Sequence, residues 1–461
     1  MTATDPSIPF SARQQAAAQI AQRLHAAGYA AYFAGGCVRD LLLGRAPSDF
    51  DVATSATPNI VLEMFPRTFA VGAHFGVVLV STPYGSAEIL TEVATFRSDG
   101  AYSDGRRPDA VRYTISAEED VRRRDFTING MLLDVDRSAN SSSLPDAVLD
   151  YVGGMVDLRA GVIRAIGEPA QRFAEDKLRM LRAVRFAARF GFVLEEKTLL
   201  AIRDAAPELY QVSQERVRDE LTRMLTEGSA RSAMELLECT GLLKEVLPEI
   251  AQMRGVEQPP QYHPEGDVWT HTLMLLEQLP AGCSATLAWS ALLHDVGKPA
   301  TFRRAPDRIR FDGHVEVGVR MAEEICRRLR MSNSNMEQIL ALVANHMRFG
   351  NVENMRASTL KRFFRLQQFE EHLALHKMDC IASHGDLSLY NFARQHYESA
   401  EPEHIRPRPL ITGDDLLALG YRPGPNFRVM LTMVEDAQLE GSIETRDQAI
   451  ALIHSAFPLP S

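Results

Sequence analysis

The sequence predicts an α+β protein whose mixed portion is confined to the first third, with helices filling the rest. Three observations carry that expectation. Short apolar runs of strand length, at residues 77–80 and 88–96, sit among helical segments only before about Asp134. From about Arg172 onward apolar residues recur at helical spacing, through Leu178, Leu181 and Phe186 and later Leu221, Met224 and Leu225. With 461 residues the chain also exceeds what one hydrophobic core organises, so roughly two to four domains are expected.

The elements follow in order. Residues 11–27 read as a helix, and Gly35-Gly36 as a turn. Leu41-Leu42-Leu43 continues that turn into a second helix, and residues 49–54 read as a strand. The polar run Asn140-Ser141-Ser142-Ser143 is expected to be a surface loop. Gln258-Pro259-Pro260 interrupts the helical pattern and marks a boundary before a histidine-bearing segment. A proline-rich stretch at 402–409 then precedes a short helical tail. The sequence shows no internal repeat.

Composition narrows the function class. The net charge of −10 argues against a surface that holds nucleic acid everywhere, because phosphate binding relies on lysine and arginine. Local distribution points the other way. Between residues 159 and 189 stand Arg159, Arg164, Arg172, Lys177, Arg179, Arg182, Arg185 and Arg189, against Glu168, Glu175 and Asp176, a candidate face for RNA and triphosphate. The five cysteines are scattered without paired spacing, which suits reduced thiols. No apolar run approaches a membrane span and the first residues lack a signal-peptide pattern, so a cytoplasmic protein without a membrane partner is expected. Nothing in the sequence fixes an oligomeric state.

The chemistry begins at Gly35, Gly36 and Arg39. Paired glycines let backbone approach an anion, and the helix that follows would aim its first N–H groups at phosphate. On a strand, Asp49 and Asp51 project to one face while Phe50 and Val52 enter the core. Two carboxylates so placed repel unless a cation joins them. Magnesium takes a few protein oxygens and completes its shell with water and triphosphate, so the pair points to nucleotide transfer.

The Gly35-Gly36-Cys37-Val38-Arg39-Asp40 turn and the Asp49/Asp51 pair are followed by two more motifs, Arg123-Arg124-Asp125-Phe126-Thr127-Ile128-Asn129 and Glu175-Asp176-Lys177-Leu178-Arg179. Their order and spacing resemble those of class II tRNA nucleotidyltransferases, the CCA-adding enzymes, whose core bacterial poly(A) polymerases share. The resemblance implies a small polymerase-β-like nucleotidyltransferase head at 1–150, a helical neck binding nucleotide and RNA at 151–257, and a helical tail at 396–461. It implies Asp49, Asp51 and Glu92 as catalytic carboxylates, the first two holding Mg2+, with Glu92 in the run Glu92-Val93-Ala94-Thr95-Phe96. Asp125 would read the ribose 2′-hydroxyl, Arg124 would contact the incoming nucleotide, and Asn129 would assist. Asp176 and Arg179, three apart and so on one side of a helix, would offer an acceptor beside a donor. Cytosine and adenine present the complementary amine and ring nitrogen; uracil and guanine present the reverse. The partners implied are a tRNA 3′ end, CTP and ATP. Residues 97–108 resemble the loop needed in this family to switch from C to A addition, and residues 215–220 resemble the last core motif, expected to hold neck helices in place.

A second constellation comprises His271, His294-Asp295, His314, His346 and Asp379. Imidazole with carboxylate suits a divalent transition metal, one ion or two, activating water for phosphoester hydrolysis. His263-Pro264-Glu265-Gly266-Asp267 leading to His271, then Leu293-His294-Asp295-Val296-Gly297-Lys298, resembles the HD phosphohydrolase domain that some of these enzymes carry, here at 258–395. Such a site would act on 2′,3′-cyclic or 2′-phosphates at RNA ends. The leading expectation is therefore CCA addition. Poly(A) synthesis, A-only addition to tRNA, and an HD phosphohydrolase on an RNA-binding platform are the alternatives.

Overall fold

The computed structural model describes residues 8–70, 76–99, 111–261 and 263–458. The chain divides into two units, one running to Met224 with Ser232–Val246, the other comprising Leu225–Arg231 with Leu247 onward.

Among the described residues up to Asp150 the strands are β1 (Ala31–Ala34), β2 (Asp51–Thr54), β3 (Thr68–Phe69), β4 (Val77–Tyr84), β5 (Ala87–Thr95), β6 (Arg97–Asp99), β7 (Val111–Tyr113), β8 (Met131–Leu133) and β9 (Val148–Asp150). Seven of them form one sheet in the order β3-β4-β5-β2-β1-β8-β9, and β6 pairs with β7. The two runs expected as strands are a single hairpin, β4 against β5. The pairing of β2 with β5 is parallel, Val52 beside Val93, whereas β1 lies antiparallel to β2 with Ala34 opposite Asp51. Alternation explains the sheet's position: Val52, Val78 and Val93 are buried. The first helix, Phe10–Ala26, turns Ala16, Ala17, Ile20, Ala21 and Leu24 inward at helical spacing. Strand β2 begins at Asp51, so Asp49 stands on the approach to it and not within it.

After β9 the first unit is helical apart from the two-residue pairing of Val162–Ile163 with Val193–Leu194. Helix Leu178–Phe190 buries nearly every apolar residue and closes on Gly191, whose φ of +67° ends the helix at little steric cost.

Among its described residues the second unit has helices and one small ribbon, Arg303–Arg304 against Ile309–Arg310. Helix Ala285–Leu293 is buried from Thr286 to Leu293 and runs through the interior. Phe349, Phe363, Phe364 and Phe369 form one apolar cluster, and the tail helices Gly413–Ala418, Pro425–Leu439 and Arg446–Ala456 contribute to another around Leu416, Met430, Val434 and Ile453. None of the described helices is long and apolar enough to cross a membrane.

Candidate functional site

The turn and the carboxylates meet because β1 feeds the one and pairs with the strand bearing the other. Gly35, at φ +74°, caps helix Gly36–Leu42 immediately after Ala34, the residue opposite Asp51. A Cβ at Gly35 would come within 3.2 Å of Arg124 Nη1, so the glycine also admits that guanidinium. The parallel register carries Glu92 alongside Asp51. Burial, then the charges of Asp49 and Glu92, push the Asp51 carboxyl up to about 7, with Arg124 opposing them. These acids gather a charge deficit that a cation would relieve. No three of their ligand atoms lie within 4.8 Å of one another, among the described residues. Cys37, beside Asp51, donates to the Ala34 carbonyl at 3.3 Å, and burial followed by the Asp51 charge pushes its thiol up to about 12, which makes it a packing residue.

The second motif is held by partners that its own spacing does not announce. Asp120, almost wholly buried, accepts from Arg123 at 2.7 Å and from Arg124 at 3.0 Å, and also from the Arg97 backbone N–H. It thereby aims Arg124 toward the Gly35 turn. Asp125 accepts from the Phe126 N–H at 2.8 Å and Asn129 at 3.1 Å on Oδ1, and from Arg182 at 2.9 and 2.6 Å on Oδ2. Burial alone would raise its carboxyl, but the Arg182 guanidinium and these hydrogen bonds hold it down at about 2. Asn129 in turn accepts from Arg39 Nη1 at 2.5 Å. Arg39 is buried, paired with Asp40 and packed over Phe190, and so braces Asn129 from behind.

In the third motif the expected helix is broken. Helix Pro169–Glu175 ends at Asp176, which is extended (φ −149°, ψ 105°), and the next helix starts at Leu178. Asp176 and Arg179 are joined by an Arg179 N–H to Asp176 carbonyl bond of 3.1 Å, not by an i,i+3 face. Asp176 is paired with Arg216 and Arg179 with Glu175 at 2.6 Å. The 97–108 stretch falls largely on residues 100–110, outside the described residues.

In the second unit the sequence-expected ligands converge. His271 Nε2 lies 3.1 Å from Asp379 Oδ1 and 3.3 Å from His294 Nε2. The two oxygens of Asp295 face different sets: Oδ2 is 3.2 Å from His294, while Oδ1 is 3.7 Å from His314 and 3.8 Å from His346. Each imidazole is fixed from its far side. His294, His314 and His346 donate Nδ1–H to the carbonyls of Ala291, Phe311 and Val343, and His271 Nδ1 meets Glu265 at 2.8 Å. That leaves the Nε2 of His294, His314 and His346 turned inward as a lone pair, and those of His314 and His346 have no hydrogen-bond partner among the described residues. Such a donor set fits a divalent metal. Glu265 and Lys298, whose Nζ reaches Asp295 Oδ2 at 2.6 Å, complete the centre. A cavity of about 480 Å³ opens over it, lined by Arg308, Arg310, Phe311 and His384 among others.

Comparison with known proteins fits this geometry. The Poly A polymerase head domain matches residues 31–164, the probable RNA and SrmB-binding site of polymerase A matches 191–253, and the HD domain matches 267–383. The CCA-adding enzyme of Enterococcus faecalis is 32% identical over 437 residues, covering 94% of each chain. This chain belongs to the CCA-adding enzyme family. The CCA-adding enzyme of Geobacillus stearothermophilus is 45% identical over 228 residues; that match spans 53% of its length and 50% of this chain, so the chain spans about half the length of this and several other curated relatives it matches. In structure, the Bacillus stearothermophilus CCA-adding enzyme solved with CTP aligns with a TM-score of 0.73 at 28% identity, over 96% of this chain and 97% of that one. The Thermotoga maritima CCA-adding enzyme complexed with tRNA shares the fold, at a TM-score of 0.56 and 18% identity over 99% of this chain and 97% of that one. A nucleotidyltransferase head and an HD domain in this CCA-adding family member imply dependence on divalent metal, for which the second unit offers candidate ligand groups.

Proposed function

We propose that this protein adds CCA, without a nucleic-acid template, to tRNA 3′ ends from CTP and ATP. The observation that carries this reading is the gathering of Asp49 and Glu92 against Asp51, beside the Gly35 turn, in a chain of this family. Asp49 and Asp51 would hold Mg2+, with Glu92 as the third carboxylate beside them; the ion when bound lowers the pKa of the attacking 3′-hydroxyl and neutralises the triphosphate. The chain's own part is to bind and select. Asp125 is assigned to the ribose 2′-hydroxyl, which would take the place of one of the Arg182 N–H groups that now fill Oδ2; a deoxyribonucleotide has no hydroxyl to make that exchange. Arg124, aimed by Asp120, meets the triphosphate, and Asn129 with Arg39 behind it keeps Asp125 in place. Asp176 and Arg179 read the base. The segments 1–150, 151–257, 258–395 and 396–461 act as head, neck, HD domain and tail of a cytoplasmic enzyme.

The test is product length. Transcripts lacking CCA, transcripts ending in CC, and an unrelated RNA are incubated with single and mixed nucleotides. Three additions confined to tRNA are expected. Long A tails on any RNA would establish poly(A) synthesis instead, and extension of the CC-ending transcript alone would establish A-only addition.

The histidine centre supports an additional activity. We assign His271, His294, Asp295 and Asp379 as the residues that would hold one ion, with His314 and His346 beside them available to a second. A bound transition metal there supplies hydroxide at neutral pH. The surrounding residues orient the imidazoles and present Lys298, Arg308 and Arg310 to a phosphate such as the 2′,3′-cyclic phosphate of an RNA end.

A further inference from the structure

Asp176 and Arg179 of the third motif are assigned above to the base, yet most of the hydrogen-bonding capacity of both is already taken. A carboxylate has about four acceptor positions. At Asp176 Oδ1, one is filled by the Leu178 N–H at 3.0 Å and one by Arg216 Nη1 at 3.2 Å. Arg216 Nη2 fills one on Oδ2 at 2.7 Å. Among the described residues a single acceptor position, on Oδ2, is left. Arg179 has five N–H donors. Its Nη1 serves Glu175 and the Arg172 carbonyl, and its Nη2 gives one bond to the Arg123 carbonyl. Among the described residues, Nε–H and one Nη2–H stay open. One acceptor and two donors remain, which complements the pairing edge of cytosine: amine, ring nitrogen and carbonyl. Adenine matches the acceptor and one donor. Uracil and guanine set a carbonyl against the lone acceptor.

We propose that Arg216, a residue of the motif expected only to brace helices, is a positioning residue that makes this site selective for amino bases. Its planar fork takes one position on each oxygen of Asp176 at once, which fixes the carboxylate's rotation and leaves Oδ2 as the sole reader. Without that fork the carboxylate turns freely and carries spare acceptors able to take the ring N–H of uracil or guanine. The inference rests on the assignment of Asp176 and Arg179 to the base and adds the residue that sets their pattern. Arg216 stands on helix Gln214–Thr226, one turn before Glu220, which grips Arg185 at 2.6 Å. The helix is thereby anchored independently of Arg216.

The test compares wild type with Arg216→Lys and Arg216→Gln. Incorporation of CTP, ATP, UTP and GTP is resolved into kcat and KM, and equilibrium binding of CTP and UTP is followed in parallel. Thermal melting checks the fold. The preference for CTP over UTP in kcat/KM is expected to fall about ten- to a hundredfold, chiefly through KM, with less loss for Lys, which keeps the charge, than for Gln. The same ratio should fall in binding, so a variant too slow to assay still reports. A folded variant that keeps the wild-type CTP-to-UTP ratio in binding, or weakens for all four nucleotides alike, overturns the proposal and assigns Arg216 a purely structural role. Failure of the wild type to incorporate CTP at all would instead overturn the transferase reading on which this rests.

Discussion

Asp120 and Asp125, five residues apart, each hold arginines, and the contrast between them shows what single residues do here. Asp120 is 1% exposed with two guanidiniums on it. Asp120→Asn keeps the shape and removes the charge, leaving Arg123 and Arg124 uncompensated. Breaking a fully buried pair costs about 3–5 kcal/mol; because these arginines keep 20% and 19% of their side chains in solvent, about 2 kcal/mol is expected, measured by urea unfolding. The same variant should raise KM for nucleotide as Arg124 drifts from the Gly35 turn. Asp125 makes a pH-dependent contribution. Its folded carboxyl sits at about 2 against an ordinary 3.8, so on acidification the unfolded chain takes up the proton first. The contribution, about 2 kcal/mol, is complete above pH 4 and is lost as the pH falls through about 2. Arg182→Met should therefore destabilise at pH 6 and lose much of that deficit near pH 2 in denaturant titrations at both pH values. The sequence does not mark Asp120, and it marks Arg182 only as one of eight basic residues between 159 and 189. Asp120 looks like the acidic first turn of a short helix, and Arg182 lies 57 residues from its partner. Asp49, Asp51 and Asp125 stand out in the sequence because their motifs are local; Arg182, which holds Asp125, comes from elsewhere in the fold.

At the scale of elements, strand alternation and helix periodicity were readable, whereas the break at Asp176 was not. The reading ran one helix through the third motif because charged residues at i,i+3 suit a helical face. The fold instead uses Asp176 to start the next helix, its Oδ1 accepting the Leu178 N–H. An aspartate just before an apolar periodic run was the available signal. Close approach of elements is equally invisible in sequence. Gly297 follows the His294-Asp295 pair, and a Cβ there would lie 2.1 Å from the His314 carbonyl and 2.6 Å from the Gly318 N. Glycine thus lets helix His314–Arg328 press against the segment that carries Asp295. Gly297→Ala should force the two apart, costing about 3 kcal/mol or more in thermal or urea unfolding. Metal content by elemental analysis should fall with it, because His314 and Asp295 Oδ1 separate.

For the whole molecule the question is whether two chemistries in one chain depend on each other. All transferase residues discussed, from Gly35 to Arg216 and Glu220, belong to the first unit, and all residues of the histidine centre, from Glu265 to His384, belong to the second. Among the described residues no side chain named at one site is named at the other, so their substitutions should act separately, as is usual for groups with no shared partner. Asp51→Ala removes a carboxylate on which Asp49, Glu92 and Arg124 all bear, and should abolish nucleotide incorporation while leaving metal content and cyclic-phosphate hydrolysis at wild-type levels. Asp295→Ala leaves Lys298 and the histidines facing one another without the carboxylate between them. It should abolish the metal-dependent hydrolysis and spare CTP incorporation within about twofold. Removing transition metal with a chelator, in the presence of excess magnesium, should reproduce the Asp295 result in the wild type. An Asp295→Ala protein that melts as the wild type does, yet incorporates no CTP, would show that the second unit controls the first.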